Sequence, residues 1–325
     1  MSALLRVLLG VVAVTAVFLA PGEATAQPWP KQTIRMIVPY PAGGATDAMA
    51  RLFALKYQEQ LGVAVVVENR VGAGGNIGAD AAAKAAPDGN TLLFNINGMA
   101  IAPSIYRRLA YDPDTDFIRV TQLAATSTVL VVNPRLPAHS FQELVALAKA
   151  KPGVLNYGST GVGNSLHLTV ELIKRQAGIE IQMVPFTGDA PLFHSLIRGD
   201  IEIALVPTSV VKEHLEAGSL RAIGISTPQR STLLPDLPTI AEQGLAGFEM
   251  RGWMGLFVPK GTSADIVDRL WRETQAILAT ADMKTRLAKL EVEPVGSSPE
   301  AFDQLYRADR ERFARIIKEA GIPLQ

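Results

Sequence analysis

The residues best equipped for chemistry lie in "YGSTGVGNSLHL", residues 157–168, where Ser159, Thr160, Asn164 and Ser165 alternate with glycines and His167 follows. A serine nucleophile on an α/β scaffold needs the strained elbow G-x-S-x-G, whereas Ser159 stands in Y-G-S-T-G. His167 would be its base and Asp189 or Asp200 the orienting acid, but these belong to separate elements and no spacing joins them. A secreted α/β hydrolase using Ser159 or Ser165 is therefore the alternative reading, and no catalytic residue is assigned. A second stretch, "VGAGGNIG" (71–78), has the strand, glycine turn, helix order of a phosphate cradle. Its Gly72, Gly74 and Gly78 give G-x-G-x-x-x-G instead of G-x-G-x-x-G, and Asn76, Ile77 and Gly78 supply no Lys-Ser/Thr pair. These glycines are read as turn and packing residues, so no nucleotide and no other cofactor is expected. His139, His194 and His214 are isolated, H-E-x-x-H is absent and the chain has no cysteine, so no metal site is expected.

Binding fits the pattern better than catalysis. "PYPAGGATD" (39–47) and residues 157–168 each fall where a strand ends and a helix begins. A helix start carries unsatisfied N–H groups and about half a positive charge, so small residues there admit a carboxylate without a basic side chain. Thr46 and Ser165 also read as ordinary N-caps; the pairing of two such loops favours a site. "VPFTGDAP" (184–191) and "ALVPTSV" (204–210) are further strand ends, which in an open α/β sheet collect along one crevice. Phe186, Thr187 and Gly188 are thus cleft candidates, as are Asn95, Asn97 and Gly98 in "NING". Trp253 reads as core.

Lys plus Arg and Asp plus Glu both number 31, which leaves no net field to attract nucleic acid or an anionic membrane. Residues 1–26 read as an export signal: Arg6, the apolar "VLLGVVAVTAVFLA", and a small-residue site cleaved after Ala26. A periplasmic location is expected. The remaining length suits two domains, 27–125 plus 227–325 and 126–226, with a ligand cleft between them.

The elements that must position these loops alternate as βα units. In the first domain they are strand "TIRMIVP", a helix from Asp47 to about Leu61 with Met49, Phe53, Tyr57 and Leu61 on one face, strand 63–68, helix 77–86 and strand "TLLFNI". In the second they are strand 154–158, helix 165–177, strand 179–186, helix 190–198, strand 201–206, helix 208–217 and strand 220–226, with Gly178, Gly199 and Gly218 as stops. "VTQLAATSTVLVVNP" crosses between the domains, and the return runs from Ser226 to strand "MGLFVP". Helices near 263–280, 282–290 and 299–320 finish the chain against the first domain.

Taken together, "IRMIVPYPAGGATDAMAR", "VVVENRVGAGGNIGADAAAKAAPDGNTLLF", "LNYGSTGVGNSLHL", "VPFTG", "LPDLPTIAEQGL" and "GLFVPKGT" resemble, in order and over essentially the whole mature chain, the solute receptors of tripartite tricarboxylate transporters, the Bug or TctC-like family. The resemblance implies a two-domain, periplasmic-binding-protein-like (type II) α/β fold, a small carboxylate ligand and a membrane permease as partner, and the chain is expected to be a monomer. It also implies that Tyr40, Gly43, Gly44, Ala45 and Thr46 face the ligand from the first domain. Ser159, Thr160, Gly161, Asn164 and Ser165 would hold a carboxylate from the second, next to Phe186, Thr187 and Gly188. One departure stands out: where many relatives carry an acid followed by Ser, this chain has Val206 and Pro207. Loss of that acid disfavours a simple amino acid and favours a less polar acid.

Overall fold

The computed structural model describes residues 29–231, 234–290 and 292–325, so the expected export segment lies outside the described residues. The chain opens with β1 (Ile34–Val38), α1 (Ala45–Leu61), β2 (Val65–Asn69), α2 (Asn76–Ala83), β3 (Thr91–Ile96), α3 (Gly98–Ile105) and β4 (Phe117–Thr126). A second set follows: β5 (Thr128–Val132), α4 (Phe141–Ala150), β6 (Asn156–Ser159), α5 (Ser165–Ala177), β7 (Gln182–Pro185), α6 (Asp189–Arg198), β8 (Ile203–Pro207), α7 (Thr208–Glu216) and β9 (Arg221–Ile225). The chain then returns through β10 (Gly252–Pro259) to α8 (Ala264–Ala279), α9 (Ala281–Lys289), β11 (Val292–Pro294) and α10 (Pro299–Glu319). These strands form two sheets, ordered β11-β4-β10-β3-β1-β2 and β7-β6-β8-β5-β9.

The expected parallel βα core is present in each sheet: β1 runs parallel to β2 and β3, and β6 parallel to β7 and β8. The strands at the crossings differ. β10 is antiparallel to β3 and β4, and β5 is antiparallel to β8 and β9, because each enters its sheet from the other one without a crossover helix. Only Ser127 separates β4 from β5. Hydroxyl pairs bind the two crossings, Ser127 Oγ to Thr208 Oγ1 at 2.6 Å and Thr128 Oγ1 to Ser226 Oγ at 2.7 Å.

The stripe expected on α1 is the buried one: Met49, Phe53, Tyr57 and Leu61 are all under a tenth exposed. At roughly 1.5–3 kcal/mol for each such side chain, this face fixes α1, and with it the loop at its N-terminus, on the sheet. The glycines of residues 72–78 also act through packing. Gly74 (φ +64°) and Gly75 (φ +99°) occupy the left-handed region, and a Cβ on Gly78 would meet both the Arg70 carbonyl and Pro39 Cβ at 2.8 Å. They let α2 approach β1 closely, and none of them lines the cavity described below.

Three elements were not anticipated. α3 begins on a glycine and holds Pro103, both helix-breaking signals, but buries Met99, Ile101 and Ile105. β11 is a three-residue edge strand. α4 did carry a signal: Ser140 Oγ accepts from Glu143 N at 3.1 Å, the start of a capping box.

Candidate functional site

A cavity of about 350 Å³ opens where the two sheets meet, and five helices start on it. Ala45 and Thr46 of α1, Asn97 before α3, Ser165 and Leu166 of α5, Asp189 of α6, and Thr208 and Ser209 of α7 all line it. The crossing residues Thr126, Ser127 and Thr128 and the returning segment Met250–Met254 also line it, as do Met49, Ile96 and Val292. Most of the surface is apolar carbon, and the polar groups come from the helix starts, the crossing strands, Thr169 and Arg251. Four of the five helices begin without a side-chain cap, at Gly44, Asn97, Gly188 and Pro207; only α5 is capped, by Asn164. First-turn N–H groups have no intrahelical partner, so uncapped starts leave donors for a bound anion.

In the first-sheet loop, Gly43, Gly44 and Ala45 are exposed, while Thr46 and Tyr40 are half-buried. Ala45 and Thr46 reach the cavity; Tyr40, Gly43 and Gly44 stand beside it without lining it. The loop is organised by Asp47, a residue the sequence reading passed over. Its carboxylate accepts from Gly43 N (2.9 Å), Arg51 Nε (2.9 Å) and Asn69 Nδ2 (2.8 Å). Burial alone would raise the pKa of Asp47; these three donors and the Arg51 charge outweigh it and bring the pKa down to about 2. Tyr40 donates to Asn95 Oδ1 at 3.0 Å, and burial, then the neighbouring Tyr111 and Tyr106, keep its phenol protonated. Asn97 is committed to β10: its Oδ1 accepts from Trp253 N at 2.7 Å and its Nδ2 donates to Arg251 O at 3.3 Å.

In the second-sheet loop, Ser165 lines the cavity and Ser159, Thr160, Gly161 and Asn164 do not. Ser159 is buried, its hydroxyl 3.2 Å from Gly161 O, and Thr160 Oγ1 accepts from Asn164 Nδ2 at 3.4 Å. Asn164 Oδ1 takes His167 N at 2.8 Å, which makes Asn164 the cap and puts Ser165 at the first helical position. His167 Nδ1 accepts from Gly163 N at 2.8 Å, so its free proton is on Nε2, 3.8 Å from Glu171 Oε1. Burial, followed by the opposing pull of Glu171, sets the His167 pKa below its ordinary value, so the ring is neutral at neutral pH. The imidazole is thus spent on the loop backbone and on Glu171.

Phe186 N donates to Ser159 O at 2.8 Å, and the Phe186 ring packs on the core beneath α6. Thr187 is exposed and Gly188 precedes α6; neither lines the cavity, but the adjacent Asp189 does. Trp253 is core: 2% exposed, with Nε1 donating to Asp309 Oδ2 at 2.9 Å. Val206 is buried within β8, and Pro207 lines the cavity at the strand end. The sequence reading missed Arg251, which follows Glu249 and Met250 in "FEMRGWMG", as well as Ser127 and Thr128, whereas Thr208 and Ser209 belong to the expected strand end 204–210. Among the described residues no group of three metal-ligating side chains occurs.

Two α/β sheets joined by two crossings, with one cavity at the helix starts, form the architecture of a two-domain solute-binding protein. Residues 49–322 match the tripartite tricarboxylate transporter family receptor, TctC, and the chain belongs to that family. BugT of Bordetella pertussis is 36% identical over 327 residues, covering 100% of this chain and 99% of that protein. The structure of Rpa4515 from R. palustris with adipate matches at a TM-score of 0.80 and 35% identity, over 92% of this chain and 100% of that one. MatC from Rhodopseudomonas palustris with bound malate matches at a TM-score of 0.75 and 30% identity, over 89% of this chain and 100% of that one. Members of the family are periplasmic binding proteins and substrate-binding receptors, not enzymes, and the hydrolase alternative is set aside.

Proposed function

We propose that the protein is a monomeric periplasmic receptor, processed after Ala26, that holds a small carboxylate between domains 27–125 plus 227–325 and 126–226 and delivers it to a tripartite tricarboxylate-type permease. The observation that carries this reading is the convergence of five helix starts, four of them uncapped, on one cavity. Adipate and malate in two relatives support the ligand class. A micromolar complex needs about 8 kcal/mol, and hydrogen bonds to a charged group contribute roughly 1.5–3 kcal/mol each, so a few N–H and hydroxyl donors from two domains suffice.

One observation favours a second ligand class. Asp189 lines the cavity and would pair with an amino group, as in an amino acid. A thermal-shift screen of dicarboxylates, aromatic acids and amino acids separates the two, since a ligand at a hundred times its Kd adds about 2.7 kcal/mol of stability. The proposal expects the largest shifts from amine-free acids; shifts only from amino acids, amines or sugars contradict it.

A further inference from the structure

Arg251 is the last residue before β10, at the point where the return crossing enters the first sheet. It borders the cleft cavity and also a neighbouring cavity of about 360 Å³ that shares Thr126, Ser127 and Val292 with it. Its NH1 is 3.2 Å from Glu293 Oε2, but that carboxylate is 62% exposed and borders only the second cavity. Such a water-screened pair is easily exchanged for another. The other side of the guanidinium is unsatisfied: Nε is buried and has no hydrogen-bond partner. Of the buried, unpartnered side-chain nitrogens and oxygens among the described residues, Arg251 Nε alone belongs to a residue lining the cleft. Guanidinium forks match carboxylates bidentately, and a buried N–H without an acceptor calls for one.

The helix starts and Arg251 are chemically different anion receptors in one cavity, and the wall that includes Met49, Ile96, Met254 and Val292 is apolar. We infer that Arg251 is a specificity-determining residue that receives a second carboxylate, so that the protein selects a diacid with an apolar spacer over the monoacid of equal length. One carboxylate sits on the N–H groups of the helix starts, the other takes the place of Glu293 on the guanidinium, and the spacer covers the apolar wall. Asp189, on the α6 side, sets the opposite requirement: the second carboxylate must lie toward the crossing strands. This inference rests on the carboxylate-receptor reading above.

The test is calorimetric titration of adipate and hexanoate into the wild type, Arg251→Met and Glu293→Gln. Wild type is expected to prefer adipate by roughly tenfold or more, the scale of a hydrogen-bonded charge pair. In Arg251→Met the preference falls to about one while hexanoate affinity is retained, which also certifies the fold; Glu293→Gln strengthens adipate binding a few-fold by freeing the guanidinium. An adipate-to-hexanoate ratio unchanged by Arg251→Met, or a wild type that prefers hexanoate, overturns the role of Arg251 and leaves the receptor reading intact. Silence of the wild type toward both acids and toward the wider acid screen overturns the receptor reading and this inference with it.

Discussion

The helices that start on the cleft and those that start elsewhere are built differently. α4, α9 and α10 begin with Ser140, Thr280 and Ser298, each of which accepts a first-turn N–H through its hydroxyl. On the cleft, α1, α3, α6 and α7 begin with Gly44, Asn97, Gly188 and Pro207, and none of these side chains caps its helix. The contrast is not complete, since α2 and α8 also lack side-chain caps and α5 has one. Even α5 keeps donors in reserve, because Asn164 takes His167 N and leaves the N–H groups of Ser165 and Leu166 without an intrahelical acceptor. A cap contributes about 1 kcal/mol to a helix, so leaving several helix starts uncapped forgoes stability where donors are wanted for a guest. Stability and binding are thus divided between different helix ends of one molecule.

The sharpest way to break this contrast is to delete single N–H donors without disturbing the helices. Proline fits the first helical position, and both Gly44 (ψ 168°) and Asn164 (ψ 166°) already hold the extended geometry it demands of its predecessor. Ala45→Pro and Ser165→Pro are each expected to weaken ligand binding by roughly 10- to 100-fold in calorimetry, the equivalent of one hydrogen bond to a charged group. Ala281→Pro, at the same position of the capped α9, is expected to leave affinity within about twofold. Equal losses at all three sites would erase the distinction between the two sets of helices.

A smaller effect runs the other way. Ser298→Ala removes a cap whose hydroxyl accepts Ala301 N at 3.2 Å, and should cost about 1 kcal/mol in urea denaturation with no change in ligand affinity. Altered affinity in that variant would mean that caps far from the cleft also tune the site.

The smallest effect concerns pH. His167 titrates below its ordinary value in the folded protein, chiefly because it is buried, so the unfolded chain takes up the proton first. Its contribution to stability is complete above about pH 6.5 and is lost as pH falls through and below that value. Protonation also ends the acceptance of Gly163 N, so stability and, by a few-fold, affinity should be lower at pH 5.5 than at pH 7.5. His167→Gln, which keeps an acceptor but no titration, should flatten both slopes; an unchanged slope would place the effect elsewhere.

Much of this was legible in the residues. The α1 stripe, the helix over 165–177 and the glycine stops at 178 and 199 follow from periodicity and left-handed C-caps, which are local properties. Of the expected cleft residues, Ala45, Thr46, Asn97 and Ser165 line the cavity, and they sit where strand ends meet helix starts, a consequence of βα topology alone. Sequence was silent on what depends on the crossings. Arg251, Ser127 and Thr128 reach the cavity because two crossing segments converge from positions more than a hundred residues apart. Asp47 was passed over for another reason: its partners Gly43 and Arg51 are local, but Asn69 is brought to it only by the pairing of β1 with β2.

The most direct test of the claim that uncapped cleft amides hold the ligand is an amide-resolved NMR titration with the tightest-binding acid from the screen. The account predicts that the N–H signals of Ala45, Thr46, Ser165, Leu166 and Ser209 move downfield together as the acid saturates the protein, while those of Met283 and Ala301, which already bond to Thr280 and Ser298, stay in place. Binding that leaves the five cleft amides unmoved, with the shifts gathered at another surface, would contradict it.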